Sequence, residues 1–179
     1  MRVISGKYKG KNIMGFNIQG TRPTMDRIKE SMFAMIQDKV KNSVCLDLFA
    51  GSGSLGIEAI SIGCNMCYFV ENSDQIYNIL KKNLSCIDNK VLLKKDYKIA
   101  LDYFKKQNIR FDLIFLDPPY KLNLINDILE KIYSGNLLKD EGLIICEYED
   151  ELVSTDKYEC YKSKKYGNKN VCIYKKLNF

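Results

Sequence analysis

Val44-Cys45-Leu46-Asp47-Leu48-Phe49 is an apolar run broken by a single carboxylate, and Gly51-Ser52-Gly53-Ser54-Leu55-Gly56 follows it almost at once. A strand with no polar alternation is covered on both faces, which is the condition of a parallel strand inside an α/β sheet. The glycines then form the tight turn that hands the chain to a helix, expected over Ser54 to Ile62. The rest of the sequence repeats this alternation. Further strands are predicted at Met66 to Glu71, Val91 to Leu93, Phe111 to Leu116 and Leu143 to Tyr148. Helical spacing marks Asp26 to Lys41, capped by Thr24, a helix from Asn72 to Ile87 opened by a capping box of Asn72 with Gln75, and helices around Ala100 to Phe104 and Ile125 to Ile132. Tyr158 to Tyr161 and Val171 to Tyr174 read as a final strand pair around a Tyr166-Gly167-Asn168 turn. The expected architecture is a doubly wound, mostly parallel α/β sheet. Residues 1–20 read as a small basic hairpin arm, too polar to be core by itself, and residues 21–179 as one domain.

Sheets of this kind bind ligands beyond the carboxyl ends of their strands. Asp47, Glu71, Asp96 and Asp117 each end or closely follow one of the first four strands. The glycine loop fits the G-x-G-x-x-G fingerprint of dinucleotide sites, but Asp47 precedes it closely and neither lysine nor arginine lies near. A pyrophosphate would meet a carboxylate there. A ligand carrying an ammonium and a sulfonium is favoured instead, and S-adenosylmethionine has both. Glu71 is placed to accept hydrogen bonds from ribose hydroxyls. Asp96 is placed either to accept from an adenine amino group or to pair with the neighbouring Lys94 and Lys95.

Asp117-Pro118-Pro119-Tyr120 carries the sharpest chemistry. Two prolines remove two backbone donors and leave carbonyls that act as acceptors. The Asp117 carboxylate and the Pro118 carbonyl can both accept from one planar NH₂ group while Tyr120 stacks on the ring bearing it. That grip draws the nitrogen lone pair out of conjugation, so positioning and electrostatics replace a strong base. The chain contains no histidine, which closes every route that needs an imidazole.

The net charge of +6 is unevenly spread. Residues 1–30 carry +5 and residues from Lys157 onward carry +6, which leaves the middle at −5. Basic ends on an acidic body suit a polyanion held by the termini, although lysines on solvated edges give the same count. The seven cysteines are odd in number and most lie in apolar runs, so reduced core thiols are expected. Cys64-Asn65-Met66-Cys67 is a CxxC without a second pair, and no metal site is expected. No apolar run reaches membrane length, and the first residues lack the features of a signal peptide, so a cytoplasmic location is expected.

The glycine loop, Glu71 and the Asp-Pro-Pro-Tyr loop, in this order, resemble those of Rossmann-like class I methyltransferases that act on amino groups. Arg2-Val3-Ile4-Ser5-Gly6-Lys7-Tyr8-Lys9-Gly10-Lys11, Thr21-Arg22-Pro23-Thr24-Met25-Asp26-Arg27 and Leu46-Asp47-Leu48-Phe49-Ala50-Gly51-Ser52-Gly53 narrow the likeness. They are similar to the bacterial 16S ribosomal RNA guanine-N2 methyltransferases of the small-subunit methyltransferase D family, along nearly the whole chain. The resemblance implies a seven-stranded sheet with the last strand antiparallel. It implies S-adenosylmethionine held by Asp47, Phe49, Gly51, Gly53, Glu71, Asp96 and Asp117, with Asp117, Pro118 and Tyr120 around the target guanine. It also implies Lys7, Lys9, Lys11, Arg22 and Arg27 on RNA, a guanine-966-type site as target, and 16S rRNA or a small-subunit assembly particle as partner. A monomer is expected because no exposed apolar stripe is left over once the sheet is covered. Lysine stands at positions such as Lys11 and Lys29 where the family has arginine, which keeps phosphate attraction but not a bidentate contact. Two alternatives remain open: an N6-adenine DNA methyltransferase, which normally carries an extra recognition domain, and a non-catalytic RNA-binding protein of the same fold.

Overall fold

The computed structural model describes residues 1–15, 22–118, 122–149 and 155–177, without the side chains of 22–25 and 122–123. The apolar run sits where its composition requires. Its strand β1 (Val44–Asp47) lies between β2 (Met66–Glu71) and β4 (Phe111–Leu116), both parallel to it. Outside these are β3 (Lys90–Lys94) and β5 (Leu138–Tyr148), again parallel. The pair β6 (Tyr158–Tyr166) and β7 (Lys169–Lys176) completes a seven-stranded sheet in the order β3-β2-β1-β4-β5-β7-β6, and β7 runs antiparallel to both its neighbours.

Successive strand residues point to opposite faces, and the two faces bury separate apolar layers. On one face Cys45, Phe69, Leu113, Phe115 and Ile173 pack under α1 (Arg22–Met35), α2 (Gln37–Val40), α3 (Ser54–Ile62) and α4 (Asp74–Asn83). On the other, Leu46, Val70, Ile114, Leu116 and Cys172 meet α5 (Tyr97–Lys106) and α6 (Leu122–Ser134). Two helix starts differ from expectation. α1 begins at Arg22 rather than after a Thr24 cap, because Pro23 is tolerated in a first turn, where its missing N–H would have had no partner. It also ends at Met35, and Ile36 with φ −123° breaks the helix before α2. The cap of α4 is Ser73, whose Oγ accepts from the Ile76 amide, and not Asn72.

The arm is part of the core. An isolated bridge from Arg2 to Asn12 and backbone hydrogen bonds such as Val3 to Lys11 close its described part, and Val3 and Ile13 are buried with the α1 to α4 layer. What fixes it there is a buried charge. The Glu58 carboxylate on α3, 1% exposed, accepts from the Ile4 amide at 2.9 Å, from the Ser5 amide at 2.8 Å and from the Ser5 hydroxyl at 2.9 Å. Lys29 of α1, equally hidden, reaches Glu58 at 3.1 Å, the Arg2 carbonyl at 2.7 Å and the Ser54 hydroxyl at 3.1 Å. A charge out of water persists when donors and a counter-ion surround it, as they do here. Lys29→Met would leave Glu58 buried without its cation. The expected loss is about 3–5 kcal/mol of stability, read from the urea unfolding midpoint; a loss below about 1 kcal/mol would show that the pair does not hold the arm.

Candidate active site

The parallel register gathers carboxylates along one edge of the sheet. Asp47 closes β1, Glu71 closes β2, Asp96 follows β3, Asp117 follows β4, and Glu147 is the penultimate residue of β5. The glycine loop lies over the first two. Gly51 and Gly53 both have positive φ, 55° and 83°, which side chains other than glycine rarely adopt. Gly56 is required by space, since a Cβ there would come within 2.2 Å of the Phe69 ring. The loop is tied down on three sides. Glu71 accepts from the Gly51 amide at 3.0 Å, Asp47 from the Gly56 amide at 3.0 Å, and Asn83 of α4 donates to the Ser52 carbonyl at 2.9 Å. Asn83 also exchanges two hydrogen bonds with the Met14 backbone, so the same side chain anchors the end of the arm.

Charge is concentrated in this edge. Burial pushes Asp47 up to about 7, against the Gly56 amide and with help from Glu71. Asp117 has an open side to solvent, yet the protein packed around it also pushes its carboxyl up to about 7; Glu147 and Asp47 add to the rise and Lys169 opposes it. Glu147 is nearly buried and ion-paired with Lys169 of β7. Register explains the neighbourhood: Leu116 pairs with Cys146, so the next residues, Asp117 and Glu147, lie side by side.

On the β3 side, Asp96 caps α5 by accepting from the Lys98 amide at 2.9 Å, while Lys94 pairs with Asp74. Phe49 meets Tyr97 with ring centroids 5.5 Å apart, and the Tyr97 hydroxyl donates to Asp127 at 3.0 Å. The structure thus brings together Asp47, Phe49, Gly51, Gly53, Glu71, Asp96, Asp117 and the buried Pro118 at the carboxyl ends of the strands. Pro119, Tyr120 and Thr21 lie outside the described residues, as does the side chain of Arg22. Lys7, Lys9 and Lys11 stand elsewhere. Lys7 and Tyr8 line a groove of about 460 Å³ with Asn42, Gly63 and Asn89, residues that come just before β1, β2 and β3. That is the amino end of the sheet, and Lys7 is paired there with Asp88 at 3.1 Å. Lys29, counted in the +5 of residues 1–30, faces inward.

Sequence reasoning missed Glu147, Lys169 and Asn83. Glu147 carried a usable signal, an acid inside the apolar run Leu143 to Tyr148, of the same kind that marked Asp47.

The family described as Conserved hypothetical protein 95 matches residues 1–175. The chain belongs to this family. The chain is also similar to the ribosomal RNA small subunit methyltransferase D of Haemophilus influenzae, 35% identical over 93% of this chain and 89% of the relative, and to YlbH of Bacillus subtilis, 37% identical over 98% and 99%. The solved structure of yhhF from Escherichia coli superposes with a TM-score of 0.86 at 27% identity, covering 98% of this chain and 97% of that one. The fold is that of the S-adenosylmethionine-dependent methyltransferases.

The methyltransferase site suits that cofactor on its own chemistry. Asp47, buried and not ion-paired among the described residues, would favour a cationic ligand; Glu71 keeps lone pairs beyond its two backbone contacts that could accept from hydroxyls such as those of a ribose; Phe49 and Tyr97 offer an aromatic corner beside Asp96. A raised carboxyl binds its proton more tightly when folded than when unfolded, so Asp47 costs the apo protein stability as pH rises from its ordinary 3.8 towards about 7. Asp47→Asn removes that cost. The stability gap in favour of the variant, measured by thermal unfolding without ligand, is expected to widen between pH 5 and pH 8 by about 2–4 kcal/mol. A gap that stays constant with pH would mean that Asp47 ionises freely.

Proposed function

We propose that this protein transfers a methyl group from S-adenosylmethionine to the exocyclic N2 of a guanine in 16S ribosomal RNA, at a guanine-966-type site. The observation that carries the reading is Asp117. It is an acid open to solvent at the carboxyl end of β4, followed by Pro118, beside the edge that suits the cofactor. The names of the small-subunit methyltransferase D relatives support ribosomal RNA as the substrate.

When bound, S-adenosylmethionine supplies an electrophilic methyl group on a sulfonium. The chain supplies the rest. Asp47, Glu71, Asp96 and the Gly51–Gly53 loop hold the donor. Asp117 and the Pro118 carbonyl accept from the guanine amine and fix its orientation, which turns an encounter into an aligned attack. Tyr120 follows in sequence to stack on the base. Methylation leaves the nitrogen with one proton too many, and Asp117, titrating near neutrality, is suited to receive it. The flipped base brings the phosphate chain with it, and Arg22 and Arg27 contribute attraction for that chain, while Lys7, Lys9 and Lys11, at the amino end of the sheet, would attract more distant phosphates of the RNA.

Labelled donor incubated with unmodified 30S subunits, naked 16S RNA and duplex DNA should yield N2-methylguanosine in RNA. N6-methyladenine in DNA would overturn the reading. Asp117→Ala should lower turnover by about 10²–10³-fold or more, with donor binding by calorimetry largely unchanged. Equal losses in binding and turnover would assign Asp117 to the donor instead.

A further inference from the structure

We infer that the tip of the β6–β7 hairpin, through Lys164 and Lys165, joins Arg27 of α1 in a basic rim that holds the RNA phosphates beside the target base. This rests on the RNA reading above. Strand register carries the argument. Asp117 lies level with Glu147, Glu147 pairs with Val171, and Val171 pairs with Lys164. Asp117 and Lys164 are therefore three strand spacings apart along one line, about 15 Å. The Gly167-Asn168 turn projects past that line at the carboxyl edge, where the site opens. The arm's lysine turn stands at the opposite end, and a six-residue parallel strand such as β2 spans about 20 Å.

Contacts seat Lys164 against α1, while Lys165, the next residue of β6, lies on the opposite face of the strand. Lys164 Nζ reaches Ser31 Oγ at 3.1 Å, and the Tyr166 hydroxyl meets the same oxygen. Arg27 stands one helical turn before Ser31, on the same face of α1. Arg27, Lys164 and Lys165 are all exposed, with Asp26 and Glu30 as the acidic neighbours on α1. Other lysines of the hairpin are engaged differently: Lys162 donates to the Met35 carbonyl at 3.0 Å, and Lys169 pairs with Glu147. Lysine on an edge strand also discourages pairing with another sheet, but that role sets no position along the strand. Here the cations border a site whose interior holds Asp47, Asp117 and Glu147. Phosphates are repelled from such an interior and attracted to its border, so the backbone stays on the rim while the neutral base enters.

The test compares wild type with Lys164→Ser/Lys165→Ser, Lys164→Arg/Lys165→Arg and Ser31→Ala, using binding and methylation of unmodified 30S subunits and 16S RNA over a range of salt. On a single strand, removing one phosphate-neutralising cation flattens the slope of log affinity against log salt by about 0.7, so the serine pair should flatten it by about 1.4. KM for RNA should rise while kcat and donor binding hold, the arginine pair should restore the slope, and Ser31→Ala should leave it unchanged. A serine pair with wild-type slope and KM overturns the rim. So does an equal flattening in Ser31→Ala, which would trace the effect to hairpin docking rather than to charge. Wild-type protein that methylates neither RNA sinks the functional reading itself, and the rim with it.

Discussion

The burial of the Glu58 carboxylate constrains everything around the glycine loop. A carboxylate that has lost water needs several donors and a cation, and no single segment of this chain supplies them all. The arm gives the Ile4 and Ser5 amides, α1 gives Lys29, and Lys29 in turn touches Ser54, the first residue of α3 after the loop. Arm, α1 and α3 therefore reach their places together. Asn83 repeats the device at the other side of the loop, joining Ser52 to Met14. Residues 1–14 of the arm are thus part of the scaffold that shapes the glycine loop.

The sheet's carboxyl edge has the opposite character, since its charges are left partly uncompensated. Asp47 and Asp117 are both pushed towards neutral pH by burial and by neighbouring carboxylates, and Lys169 offsets Glu147 only in part. Such an edge selects by sign. A sulfonium with an ammonium relieves the repulsion, and a planar amine that donates hydrogen bonds is welcome. A phosphate is not. Under the proposed function, the same field that suits the donor would keep a phosphate backbone outside, which is the arrangement a base-modifying site needs.

Much of this was legible in the residue order. The apolar run with its glycine turn placed β1 and α3, and the strand-terminal acids Asp47, Glu71 and Asp117 fell where a parallel sheet would collect them. What escaped was the use to which charges were put. A lysine contributes +1 to a count whether it faces water or a buried carboxylate, so the charge of the first thirty residues includes Lys29, which belongs to the core. Glu147 escaped because an acid inside a strand reads as a blemish in the pattern until the register sets it beside Asp117. The caps failed for a local reason: Thr24 and Asn72 are both good caps by type, but Pro23 and Ser73 decided where the backbone turned.

The final strand pair shows how topology can assign a charged segment that composition cannot. Because β7 runs antiparallel to both β5 and β6, β6 runs parallel to β5 and ends at the same edge of the sheet. β7 is inserted between them through a turn at Gly167-Asn168, and Tyr148 at the end of β5 pairs with Asn170 near the start of β7. An antiparallel pair returns its tip to the end from which its neighbour's carboxyl terminus emerges. The lysine-rich end of the chain is thereby carried to the edge where Asp117 stands, one ion-paired lysine inside the site and two exposed ones on its border. Reversing that pair would leave the composition unchanged and move the cations to the far end of the sheet, beside the arm and about a strand length from the chemistry.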